Sequence, residues 1–341
     1  MSNDVGLQAI DKLFDKLQID AAWSIRRPRG FTWWSYKLAQ HIDASEPWQD
    51  DEFQLSRIRI VTDLVTSVDP GCQPEMLAGM ANMQQILSAV VWDDTDLTMR
   101  EYCTGIVHQE NVGSLTQLLA TAAITQNVAA HSRAQRLAQA AGGTPAASAH
   151  PITGERNEPD EMMGVPEHVI FPAGKDHSAF AGPLCASLKD FLPQYQLMGF
   201  SDAEGFSCEV PFTGSTPVVA KVALGRPTAK DRPETSLLRI FPDTDHPQYG
   251  HGALVILQIP VVFDEDEVFH VVNQLNLAEA KGHTLSNLLG AWCLDPTNDK
   301  RNTIAFNAFL PSVLAEPGVL ENQVIFQAAR SRLYGETQFL A

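Results

Sequence analysis

A chain of 341 residues has room for two or three domains, each with its own core, and a composition of 44% hydrophobic and 19% charged residues reads as globular and soluble. Its 24 Lys and Arg stand against 41 Asp and Glu, a formal net charge of −17. That balance leaves no basic footprint for phosphate neutralisation and argues against nucleic acid as the partner.

No apolar run approaches the roughly 18 residues of a membrane span, and Asp4, Asp11 and Asp15 stand where a signal peptide would be apolar. The expectation is a cytoplasmic protein with no membrane partner. The five cysteines, at 72, 103, 185, 208 and 293, are widely spaced and form no CxxC pair, so they read as free thiols rather than a disulfide framework or zinc site.

In chain order, Ile10, Leu13, Phe14 and Leu17 recur at helical spacing behind Asn3 or Asp4 as N-cap. A hairpin-like stretch follows, "AWSIRRPRGFTWW", and then a strand-like run, Ile58 to Val65. The next helix, "PEMLAGMANMQQ", carries Met76, Met80 and Met83 at helical spacing, which predicts a Met-lined core, with an adaptable binding face as the alternative. Two β-like runs, "LSAVVWDD" and "CTGIVHQ", lead to a long Ala-rich helix, Leu115 to Leu137, expected to cover the first sheet, with packing against the other copy or another subunit as the rival reading.

Residues 141–178 are rich in Pro, Gly and acids with no apolar period until their end, and read as a linker. Beyond them the same elements recur. A helix with Leu184, Leu188, Phe191 and Leu192 precedes "GFSDAEGFSCEV", which aligns Phe200 with Trp23, Gly205 with Gly30 and Phe206 with Phe31. "LVILQIPVV", a helical "DEVFHVVNQLNLAE", "LGAWCLDP", "TIAFNAFLP" and a closing helix from Leu320 to Leu333 complete the series, with Asp295 matching Asp93.

The expected fold class is therefore α+β: two copies of an α-β-β-β-α-β-β-α unit, residues 1–140 and 179–341, each an antiparallel sheet with helices on one face. This order resembles the type III secretion chaperone-like fold, shared by chaperones of secreted effectors and by bacterial proteins labelled sensory transduction regulators. The residues that carry the likeness are "CASLKDFLPQYQLMGFSDAEGFSCEVPF" and "VVNQLNLAEAKGHTLSNLLGAWCLDPTNDKRNTIAFNAFLPSVL". The resemblance implies a non-enzymatic, protein-binding role, and two copies in one chain imply a covalent pseudo-dimer, either monomeric or as a homodimer.

No dinucleotide, serine-hydrolase or zinc-protease signature is present, and "VIFPAGKDHS" fails the P-loop pattern at Val169 and Asp176. Asp243, Asp245, His246 and His251 read as a polar hairpin tip rather than a metal site, and Asp93, Asp94 and Asp96 as a turn. No catalytic residue, metal or cofactor is assigned. The partner-binding candidates are Arg26, Arg27, Arg29, Trp33 and Trp34, a basic tip beside aromatics on both faces of a strand. Because the second copy has "DAE" where the first has "RRPR", replacing the three arginines is expected to leave the fold intact. The competing reading is a small-ligand sensor or enzyme with a site between the halves, using His246, His251 and the Asp93 cluster.

Overall fold

A computed structural model of the chain describes residues 4–167, 188, 197–201, 205–211, 235–246, 249–282, 286–297, 302–311, 314 and 319–334. The architecture is α+β with antiparallel sheets. It divides into two compact units, Met1–Pro172 with Phe269–Cys293, and Ala173–Val268 with Leu294–Ala341.

The first unit runs α1 (Val5–Lys16), β1 (Ser24–Arg27), β2 (Gly30–Trp34), β3 (Ala39–Ala44), β4 (Trp48–Asp50), β5 (Phe53–Thr66), α2 (Pro74–Asn82), β6 (Ala89–Asp93), β7 (Thr98–Val107), α3 (Val112–Ala140) and β8 (Thr144–Pro145). Asp4 caps α1, its carboxylate accepting from the amides of Gly6 and Leu7. The strands lie in the order β1-β2-β3-β5-β7-β6, each antiparallel to its neighbour.

Helices α1 and α3 cover one face, as the Ala-rich pattern predicts. Phe14 of α1 meets Phe31 of β2 edge-on with ring centroids 5.2 Å apart. Beneath α3, Gln40 and Thr62 join Gln126 in a buried hydrogen-bonded group that pins helix to sheet.

Two expectations fail in this unit. Met80 of α2 and Met83 at its C-cap are exposed, at 56% and 41%, and Met76 is half-buried, because the buried side of the helix is taken by Ala78, Gly79 and Asn82. The supposed linker, over residues 144–164, is part of the first unit. Pro145 pairs with Val65 in β5, the Ala146 amide donates to the Leu64 carbonyl, and the Ser148 amide donates to Lys37. Further on, Arg156 donates to the Trp34 carbonyl and the Asp160 amide to Ser35. Its prolines made the stretch look uncommitted, but Pro at a sheet margin removes only an amide that no strand needs.

The second half runs β9 (Met198–Ser201), β10 (Phe206–Pro211), β11 (Thr235–His246), β12 (Gly250–Val262), α4 (Val268–Ala280), β13 (Ala291–Leu294), β14 (Thr303–Pro311) and α5 (Val319–Tyr334). Within the second unit the ladder is β9-β10-β11-β12-β14, with α5 across β10, β11 and β12. Of the expected leading helix only Leu188, which is buried, falls among the described residues. The rejected "GKDHS" text also lies outside them.

The registers of the two ladders can be compared strand by strand. Phe31 pairs with Ile42, Ile42 with Ile60, and Ile60 with Cys103. In the second unit Phe206 pairs with Ile240, Ile240 with Val255, and Val255 with Ala308. A Cβ on Gly30 would stand 2.1 Å from the Ile42 carbonyl oxygen, and one on Gly205 2.2 Å from that of Ile240. Both hairpins therefore need glycine for the same close approach.

Candidate protein-binding edge

The five residues singled out from the sequence do not form an open basic patch. Trp33 is fully buried and Trp34 is 7% exposed, its indole Nε1–H donating to Ser148 Oγ at 3.0 Å and its ring packed edge-on against His150. Trp33 lies on the face covered by the helices, and the segment once read as a linker covers Trp34. Neither ring offers a surface to a partner.

The arginines are occupied as well. Arg26 reaches Asp11 at 3.2 Å and lies over the Phe14 ring at 3.6 Å. Arg27 pairs with Asp43 at 2.9 Å. Arg29 binds Asp4 through two nitrogens at 2.7 and 3.2 Å, donates to the carbonyls of Ala44 and Ser45, and stands 3.5 Å from Glu46. Its hydrogen bond, with the Leu7 amide, holds the Asp4 carboxyl below the ordinary range against the opposing effect of burial. Arg29 thus ties the hairpin turn to the N-terminus of α1, and the expectation that it can be replaced freely is corrected.

What the structure does leave open is the backbone of β1. The two-residue turn Pro28-Arg29 makes Arg27 and Gly30 the closing hydrogen-bonded pair, so Ile25 and Arg27 bond to β2 while Ser24 and Arg26 direct their N–H and C=O groups outward. Among the described residues nothing pairs with that outer edge.

The opposite edge is closed along its length. The Val90 amide donates to Asn82 Oδ1 at 2.7 Å while Asn82 Nδ2 donates to the Val90 carbonyl at 2.9 Å. Asn273 of α4 makes the same reciprocal pair with Trp92, at 2.9 and 3.0 Å. Where β7 extends beyond β6, the Thr104 amide donates to the Leu288 carbonyl and the Ile106 amide to Asn287 Oδ1. Each asparagine amide presents one donor and one acceptor side by side, as a neighbouring strand would. Asn276 clasps Trp292 in the same way, at 2.9 Å both ways.

On the sheet face away from α1 and α3, Thr32 Oγ1 lies 3.0 Å from His41 Nδ1, and His41 Nε2 lies 3.2 Å from Asp63. Arg100 bridges Asp63 at 2.9 Å and Asp96 at 2.7 Å. Burial would raise the Asp63 pKa, but His41 and Arg100 outweigh it and hold the carboxyl low. The hydroxyl–imidazole–carboxylate contacts follow from the pairing of Thr32 opposite His41, and the carboxylate is already neutralised by the guanidinium.

The remaining candidates are placed as follows. Asp93 closes the β6–β7 turn and meets Lys281 at 3.0 Å. Asp245 and His251 form a cross-strand pair at the β11–β12 hairpin, and His246 packs between the rings of Tyr249 and Phe309. The Asp93 turn belongs to the first unit and the histidine hairpin to the second. Among the described residues no group of three or more His, Cys, Asp or Glu side chains could hold a metal ion, and no helix is long and apolar enough to cross a membrane.

One buried cluster was invisible in the sequence. Glu101 of β7, fully buried, accepts from Ser88 Oγ at 2.6 Å and faces Arg133 of α3 at 3.6 Å. Burial pushes its pKa up, with Arg133 pulling the other way. By register Glu101 occupies the position that Phe306 holds in the second unit, where Arg330 of α5 lies over the ring at 3.5 Å. No family model, curated protein or solved structure matches the chain.

Proposed function

We propose that the chain is a non-enzymatic, cytoplasmic protein-binding module, chaperone-like or adaptor-like, that takes an extended segment of a partner along the outer edge of β1. The observation that carries this reading is the unequal treatment of the two edges of one sheet. Unpaired strand edges invite association, and folded proteins close them. Here six hydrogen bonds from backbone groups of β6 and β7 to Asn82, Asn273, Asn287 and Leu288 close one edge, while among the described residues nothing pairs with the outward groups of β1. Strand addition is the recognition mode that such an edge serves.

Tandem duplication belongs to the same reading. It is supported by the common strand order, the matched registers, the glycine approach at Gly30 and Gly205, and the paired clasps of Asn82 and Asn276. Those features fit a monomeric pseudo-dimer and the chaperone-like resemblance.

The test is selection from a displayed library of 12-residue peptides against the full chain, followed by binding to an Arg26→Pro variant. Proline at 26 removes an outward amide. Enriched peptides that bind the wild type and lose binding to this variant support the reading. A library that enriches nothing counts against it.

A further inference from the structure

The surroundings of β1 define the chemistry of what it takes. The turn His150–Gly154 docks at the entry to β1: Thr153 Oγ1 donates to the Ala22 carbonyl at 3.3 Å, and the rings of His150 and Trp23 stand edge-on, 6.1 Å apart. His150 Nδ1 accepts from the amides of Ile152 and Thr153, which fixes the turn. At its tip Ile152 is 85% exposed, and Trp23, in ring contact with His150 of the same turn, is half-buried. A rigidly held isoleucine in water, on a turn docked two residues before β1, is an apolar foothold near the entry to that strand.

The arginines at the edge are answered by carboxylates: Arg26 by Asp11, Arg27 by Asp43, and Arg29 by Asp4 and Glu46. Arg156, paired with Asp160, stands over the Trp23 ring at 5.1 Å, and Arg59 lies across from Asp43. Asp20, at the start of the turn into β1, is exposed. The chain as a whole carries −17, and that net charge makes the long-range field negative.

We infer that β1 takes an extended, cationic partner segment that pairs its backbone with Ser24 and Arg26 and sets a large apolar side chain against Ile152 and Trp23. This rests on the protein-binding reading above and adds the partner's chemistry to it. Backbone pairing supplies affinity, the apolar contact fixes register, and Lys or Arg on the segment meets the carboxylates that already surround the edge.

The experiment uses the full chain and the displayed 12-residue library, with the enriched peptides then made synthetically. The expected peptides carry net positive charge and one large apolar residue, and they weaken by more than about tenfold between 0.05 and 0.5 M salt. Ile152→Ser changes a side chain that is 85% exposed without adding charge, so the fold stands, and it should weaken them about tenfold, the factor for losing one buried apolar contact. Arg26→Ala, which keeps the amide, should bind far better than Arg26→Pro. Enriched peptides that are acidic, or that bind Ile152→Ser as tightly as the wild type, overturn the inference and leave the protein-binding reading standing. A library that enriches nothing removes both.

Discussion

Asn273 offers the most direct check on the edge argument, because one side chain holds both free groups of Trp92. β6 is buried at every residue and Asn273 is 2% exposed, so Asn273→Ala leaves an amide and a carbonyl without partners away from water. An unsatisfied buried group costs about 1–3 kcal/mol, and two of them put the expected loss at about 2–6 kcal/mol. Asn273→Asp should be no better at pH 7, since one carboxylate oxygen would still accept from the Trp92 amide while the other faced the Trp92 carbonyl. All six tryptophans (23, 33, 34, 48, 92 and 292) belong to the first unit, so urea unfolding followed by tryptophan fluorescence reports on that unit. With a slope of about 2–3 kcal/mol per molar, the midpoint should fall by about 1–3 M. Amide exchange at Trp92 should accelerate in step. A loss below about 0.5 kcal/mol with unchanged exchange would refute the claim that the clasp closes the edge.

Four further outcomes are expected. Arg29→Ser should destabilise the first unit by about 2–3 kcal/mol in the same urea assay, since it breaks a charged pair and two carbonyl contacts at once, whereas Arg27→Ser should stay within about 1 kcal/mol. Gly205→Ala and Gly30→Ala should each cost about 1–3 kcal/mol, read by calorimetry, because the new methyl meets a backbone carbonyl that cannot move aside. His131 Nε2 accepts from the amides of Lys37 and Leu38, and burial holds its pKa below the ordinary 6.5. The unfolded chain then binds more protons than the folded one below about pH 6.5, so stability should fall from pH 7 to pH 5, and His131→Asn should flatten that slope. Glu101→Phe should be tolerated better than Glu101→Ala, because the ring gives Arg133 what Phe306 gives Arg330; equal midpoints for the two variants would count against the register equivalence.

Much of the fold was legible because turns and apolar runs are local. Gly30 and Gly205, the Asp93 and Asp295 turns and the Ala-rich helix announced themselves through residue type alone. The clasps did not. Asn82 precedes Ala89 by seven residues and Asn276 precedes Ala291 by fifteen, so the longer loop in the second half hides their equivalence from any alignment by spacing. Asn273 was beyond reach for another reason: it closes a strand 181 residues away, and helical periodicity says nothing about such a partner. The methionines of α2 show the same limit from the other side, since spacing identifies a stripe but not which way it faces.

The places where the copies differ are where the binding argument concentrates. Under the proposed duplication the shared fold requires the glycine at the hairpin, the asparagine beside the strand and the arginine on the last helix, and Gly30 and Gly205, Asn82 and Asn276, and Arg133 and Arg330 fill those places. It does not require "RRPR" at the first hairpin tip, where the second copy has "DAE", and it does not require Ile152. Yet Arg29 is locked into the first unit by Asp4, so a copy-specific residue can still be structural. Copy-specificity alone therefore does not identify a binding residue. Exposure separates them: Arg29 is held between helix and strand, Trp33 and Trp34 are covered, and Ile152 is exposed, which is why the proposed partner segment is set against Ile152 and the outward backbone of β1 rather than against the arginines and tryptophans.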